Sequence, residues 1–201
     1  MPQPDRHITP HDALLVVDVQ NDFLPGGALA VADGNRVVPS LNRHIAAFVK
    51  AGALVVATRD WHPPGHGSFT ARGGPWPPHC VAGTAGAAFA PGLALPPGCL
   101  VVSKGERPDG DAYSGFDGTG LAATLRERGV QRVFVGGLAT DYCVQATVLD
   151  AIKAGFATFV LSDSVRAVNA HPGDGRAATL AMQSAGAVAT DLRGWAGGGT
   201  P

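Results

Sequence analysis

The stretch RVFVGGLATDYCVQATVLDAIKAGFATFVLSD, Arg132 to Asp163, reads as a complete folding unit. It opens with a β-rich apolar run, Arg132–Gly137, turns through two glycines and continues as an amphipathic helical pattern, Asp141–Ala154. Gly155 follows directly, then a second apolar run, Ala157–Asp163. Glycine just after the last periodic residue stops a helix. Strand, helix and strand at this spacing make a βαβ unit, which belongs in a parallel sheet.

The same alternation extends in both directions. Ala13–Val19, Ala53–Thr58 and Cys99–Lys104 read as strands, and Gly186–Thr190 as a weaker sixth. Helical patterns cover Arg36–Ala51, Gly120–Arg128 and Gly173–Ala185, with Gly52 and Gly129 as stops. The strand runs are continuously apolar rather than alternating, as expected of strands covered on both faces. The predicted fold is α/β: a doubly wound, mostly parallel sheet of about six strands with helices on both faces. One domain spans residues 1–201, with residues 1–10 and 197–201 expected to fray. Trp61–Pro97 and Gly105–Gly118 are long and loop-like, and loops that long in a compact domain are usually functional.

The chain has 201 residues, 45% of them hydrophobic, with a formal net charge of -1, enough for one sizeable core. Lysines and arginines are scattered, so no electrostatic footprint suggests nucleic acid or an anionic membrane as partner. No apolar run is long enough to span a membrane, and the N-terminal stretch lacks a signal-peptide apolar region. Three widely separated cysteines make no disulfide framework, so a cytoplasmic protein with reduced thiols is expected. No G-x-G-x-x-G follows the first strand and no phosphate-loop pattern is present, which argues against a dinucleotide oxidoreductase.

In open parallel sheets the site lies beyond the carboxyl ends of the strands. Four chemically loaded residues fall there: Asp18, Asp60, Lys104 and Cys143. Asp18 interrupts an apolar strand end; a partly buried carboxylate needs a partner or a raised pKa, which suits a general base. Alone it would read as a turn or helix cap. Lys104 either snorkels out of its strand or holds a carboxylate ionised and favours a thiolate. Cys143 falls in the first turn of a helix that Thr140 or Asp141 can cap, where amides and dipole favour an anion. The alternative is a core cysteine, a reading that suits Cys99 better and is preferred for Cys80.

Asp60 and His62 stand two apart after the second strand, with His66 and His79 further on. Carboxylate and imidazole are ligands for Zn, Fe or Mn, and few protein ligands leave positions open for water or substrate. Spacing alone leaves open whether His66 or His79 is the third ligand. His44 fits a helix surface, and His7 and His11 read as terminal solvent groups. Phe23 and Trp76 can sandwich a flat ring, and Tyr113 lies in a loop at the same edge.

Five segments, DVQNDFLPGGALAV (18–31), RDWHPPGHGSF (59–69), WPPHCVAGTAGAAF (76–89), AYSGFDG (112–118) and VGGLATDYCVQATVLDA (135–151), together resemble the nicotinamidase/pyrazinamidase branch of the isochorismatase-like cysteine hydrolases. The resemblance implies hydrolysis of nicotinamide to nicotinate and ammonia in NAD salvage, with pyrazinamide also accepted, through a cysteine thioester. It implies Asp18, Lys104 and Cys143 as the triad, and backbone N–H groups of Ala139 and Cys143 as the oxyanion hole. It further implies a cis peptide at Leu138–Ala139 and a ring pocket walled by Phe23, Trp76 and Tyr113. One divalent metal ion, Zn before Fe or Mn, would sit on Asp60, His62 and His79, with His66 as an additional ligand in some members, and would hold the ring nitrogen. The implied partner is a small aromatic amide; oligomeric state varies among such enzymes. Related hydrolases of isochorismate, carbamoyl groups or ureides generally lack the Asp-x-His pair with the later histidine.

Overall fold

The structure is a computed structural model and describes residues 6–110, 112–193 and 195. The expected fraying at 1–5 and 197–201 lies outside the described residues. Within 6–10, Ile8 is buried in the core rather than loose.

Six strands form one sheet: β1 (Asp12–Val17), β2 (Leu54–Asp60), β3 (Leu100–Lys104), β4 (Arg132–Leu138), β5 (Ala157–Arg166) and β6 (Val188–Thr190). Their order is β3-β2-β1-β4-β5-β6, and every pairing is parallel. Among the described residues, four α-helices accompany them: α1 (Val37–Lys50), α2 (Leu121–Glu127), α3 (Gln145–Lys153) and α4 (Asp174–Ser184).

The strand period of two explains the double cover. From β1, Leu14 and Val16 pack with Leu41, Ile45 and Phe48 of α1. Ala13, Leu15 and Val17 face the other way, onto Leu125 of α2, Val148 of α3 and Met182 of α4. Both faces are therefore apolar, which is why the sequence reads as unbroken runs. The first half of the chain builds outward from β1 to β3 and the second half from β4 to β6. The winding direction reverses between β1 and β4, and a crevice opens there at the carboxyl ends.

Two local expectations change. Gly136 and Gly137 do not form a turn; both lie inside β4. Gly137 has φ +130, and a Cβ there would stand 2.1 Å from Val17 O, so glycine permits the close approach of β4 to β1. The chain leaves the sheet one residue later, through a cis peptide at Leu138–Ala139. His44 is not on a helix surface: it is buried, with Nε2 2.9 Å from Asp163 Oδ1, and so ties α1 to β5. Among the described residues, no helix is long and apolar enough to cross a membrane.

Candidate active site

At Asp18 the backbone takes φ +49 and leaves β1. This swings a fully buried carboxylate into the crevice beside the ends of β2 and β3. Thr58 donates its hydroxyl to Asp18 Oδ1 at 2.6 Å. Lys104, the last residue of β3, sets its Nζ 2.8 Å from Asp18 Oδ2, 2.5 Å from Asp60 Oδ1 and 3.4 Å from Cys143 Sγ, and donates to Ala112 O at 3.1 Å. The four residues expected at this edge therefore meet around one ammonium group.

Burial dominates the electrostatics. It raises the Asp18 carboxyl above its ordinary value, against the pull of Lys104. It pushes the Cys143 thiol well up, and Lys104 only partly offsets this. The expected lowering by the helix start does not prevail, so the resting group is a thiol. Burial disfavours the Lys104 ammonium too, but Asp18, Asp60 and Cys143 outweigh it and the amine stays charged. At Asp60 burial is outweighed by Lys104 and His62, which keep the carboxyl below the usual range.

Cys143 lies in a single π-helical turn, Thr140–Val144, that precedes α3. Neither Thr140 nor Asp141 caps it through a side chain. The Asp141 carboxylate instead accepts from Val168 N at 2.9 Å and Asn169 N at 2.8 Å, tying the Cys143 turn to the loop after β5.

Beside this group, ligand atoms of Asp60, His62 and His79 lie within 4.8 Å of one another. His62 Nδ1 donates to Gly105 O at 3.0 Å and His79 Nδ1 to Pro77 O at 2.8 Å. Both rings thus present Nε2, the arrangement by which backbone carbonyls orient metal-binding imidazoles. Burial holds His79 below its ordinary pKa, hence neutral and able to ligate. Two imidazoles and a carboxylate fit a divalent metal. His66 is outside this set: its ring centroid lies 4.3 Å from that of His62, the rings tilted by 32°, and its Nδ1 is 2.7 Å from Ser68 Oγ. A second close group, Asp18, Asp60 and Cys143, surrounds the Lys104 ammonium instead.

Above both groups opens a largely apolar cavity of about 500 Å³, its mouth included. Phe23, Trp76 and Tyr113 line it as expected, and Cys143, Ala139, Asp60 and His79 reach it too. Trp76 Nε1 donates to Tyr113 OH at 3.1 Å, and Gly67 N to Pro108 O at 2.8 Å, so the two long loops are joined over the site. Cys80 is structural: fully buried, its thiol pushed up by burial, its N–H on Asp22 Oδ2 at 2.7 Å.

Sequence reading gave no site role to three residues here. Thr58 is a buried hydroxyl at a strand end, a signal hidden among ordinary strand threonines. Tyr142 lines the cavity, with its ring centroid 5.3 Å from that of Trp76; an aromatic next to the nucleophile could have flagged it. Gln20, in DVQNDF, is a fully buried amide.

Comparison with known proteins bears on the chain as a whole. The chain is 41% identical over 207 residues to the nicotinamidase of Escherichia coli, covering 92% of this chain and 97% of that protein. The zinc complex of the pyrazinamidase of Pyrococcus horikoshii superposes with a TM-score of 0.87 at 50% identity, covering 90% of this chain and 99% of that one. PnC1 from L. infantum in complex with nicotinate gives a TM-score of 0.81 at 41% identity, over 91% of this chain and 92% of that one. The model of the isochorismatase domain matches residues 12–193, from the first residue of β1 past the end of β6. With that match spanning the whole sheet and the crevice at its carboxyl edge, the chain belongs to the isochorismatase family.

Proposed function

We propose that this chain is an amidohydrolase that converts nicotinamide to nicotinate and ammonia, and pyrazinamide to pyrazinoate, through a Cys143 thioester, as a single domain. The observation that carries the reading is Cys143 Sγ 3.4 Å from Lys104 Nζ, which is itself 2.8 Å from Asp18 Oδ2, at the floor of an aromatic-walled cavity. Phe23, Trp76 and Tyr113 bracket the flat ring. Asp18 takes the thiol proton, and Cys143 Sγ attacks the amide carbon. The oxyanion is met by backbone N–H groups of Ala139 and Cys143; one such donor is commonly worth about 2.7–4 kcal/mol. The C–N bond breaks as Asp18 returns its proton to the departing ammonia. Asp18 then deprotonates a water that adds to the thioester, and the C–S bond breaks to release the acid and regenerate the thiol. Lys104 keeps its positive charge throughout and fixes Asp18 and Asp60 around the sulfur.

Asp60, His62 and His79 would hold one divalent metal ion, zinc first among the options, with His66 as a supporting neighbour. When bound, the ion would supply a Lewis-acid anchor for the ring nitrogen. The reaction belongs in the cytoplasm, where the three free thiols, Cys80, Cys99 and Cys143, stay reduced. The test is ammonia release from nicotinamide with and without chelator. Release that chelation slows supports the reading. No release from nicotinamide or pyrazinamide with metal present refutes it.

A further inference from the structure

β1 ends at Val17, and its last backbone contact with β2 is Asp18 N to Thr58 O at 3.2 Å. β2 runs on to Asp60, where it still pairs with Lys104 of β3 on its other side. On the β1 side the backbone of Asp60 would be left without a strand partner. The side chain of Gln20 takes that place. Its Oε1 accepts from Asp60 N at 2.8 Å, and its Nε2 donates to Asp60 O at 2.8 Å. The second Nε2 proton goes to Ala87 O at 2.9 Å. The amide is fully buried, and its two donors and its acceptor are all engaged. A flipped amide would set oxygen against two carbonyls, so the network fixes its orientation.

We propose that Gln20 is a positioning residue for the metal-ligand set, acting through the backbone of Asp60. A carboxylate ligand is only as well aimed as its Cα. Asp60 Oδ1 is already directed to Lys104, so small rotations of the backbone would swing Oδ2 away from His62 Nε2, now 3.7 Å distant. Holding Asp60 on both sides, by β3 and by Gln20, removes that freedom. Outer partners of metal ligands typically contribute 10–100-fold in affinity. The inference rests on the proposal that Asp60 is a ligand.

A merely structural role would be different. Gln20 also ties residue 20 to the segment around residue 87, and so does Asn21, whose Nδ2 donates to Ala85 O at 2.7 Å without touching Asp60. Asn21→Ala is therefore the control. Zn²⁺ affinity is measured by competition with a chromogenic chelator on the full chain, for wild type, Gln20→Met, Gln20→Glu, Asn21→Ala and Asp60→Ala. Circular dichroism confirms folding. Gln20→Glu keeps the acceptor for Asp60 N but faces two carbonyls, and it carries the test should Gln20→Met fail to fold. The expected result is a Zn²⁺ affinity about 10–100-fold weaker for both Gln20 variants, wild-type affinity for Asn21→Ala, and loss of tight binding for Asp60→Ala. Wild-type affinity in the folded Gln20 variants with binding lost in Asp60→Ala would overturn the inference alone. Retained binding in Asp60→Ala would overturn the ligand assignment and the inference with it.

Discussion

Lys104 Nζ lies 2.5 Å from Asp60 Oδ1 and 2.8 Å from Asp18 Oδ2, so the carboxylate beside His62 and His79 is held by the same ammonium that holds the carboxylate beside Cys143. The two halves of the site share one cation. That cation is buried, so its loss leaves two carboxylates unpaired in a low-dielectric setting.

Lys104→Met tests this sharing. Removing one partner of a buried ion pair typically costs about 3–5 kcal/mol, because the remaining charge is stranded. Denaturant unfolding should show a loss of that order, and ammonia release should disappear even when metal is in excess. A variant as stable as wild type would mean that Asp18 and Asp60 are not both ionised around Lys104.

Thr58→Val keeps the shape of the side chain and deletes the hydroxyl that reaches Asp18 Oδ1. An acceptor left unsatisfied in the interior costs about 1–3 kcal/mol. Stability should fall by that amount and turnover should drop, while Thr58→Ser restores both. Equal rates in the valine and serine variants would remove Thr58 from the working site.

The dependence of rate on pH follows from burial of Asp18. In the proposed reaction Asp18 must be ionised to accept the thiol proton, and burial raises its pKa. Activity should therefore fall on acidification at a pH above the ordinary carboxylate value of about 3.9. Lys104 is shifted upward and keeps its charge through neutrality, so it adds no limb there. A rate that stays flat down to the ordinary carboxylate range would exclude Asp18 as the base.

Asp163 gives a stability counterpart away from the chemistry. Burial opposes its charge, but hydrogen bonding and attraction to His44 outweigh burial and lower its pKa. A group lowered on folding contributes stability above its unfolded pKa and loses it as pH falls through the folded value. This contribution should be intact at neutrality and fade below about pH 4, near the unfolded carboxylate value. Asp163→Asn should reduce stability at neutral pH and flatten the acid side of the stability profile; an unchanged profile would show that the link between α1 and β5 is not electrostatic.

Sheet and helices were legible because each depends on local pattern: continuous apolar runs for covered strands, 3.6-residue periodicity, and glycine after each helix. The residues at the crevice were legible because topology puts every strand end there, so Asp18, Asp60, Lys104 and Cys143 needed only the right strand order. What local pattern cannot carry is the partner. Asp141 sits at a capping position, but its carboxylate is taken by Val168 and Asn169, far along the chain. His44 occupies a polar-looking helix position and is buried because Asp163 arrives from β5. Gln20 looks like one more polar residue in a turn until β1 is seen to end early and leave Asp60 exposed on that side. Gly136 and Gly137 read as a turn because a close approach of two strands leaves no mark of its own in sequence.

In the proposed reaction Cys143 Sγ becomes covalently bound to the acyl group of the amide. This step is tested most directly by acid-quenching the enzyme during turnover of nicotinamide and locating the adduct by peptide mass spectrometry. A nicotinoyl group on the Cys143 peptide, absent from an inert Cys143→Ala variant, is the predicted result. Ammonia release by Cys143→Ala at the wild-type rate, or an adduct on Cys80 or Cys99 in place of Cys143, would contradict it.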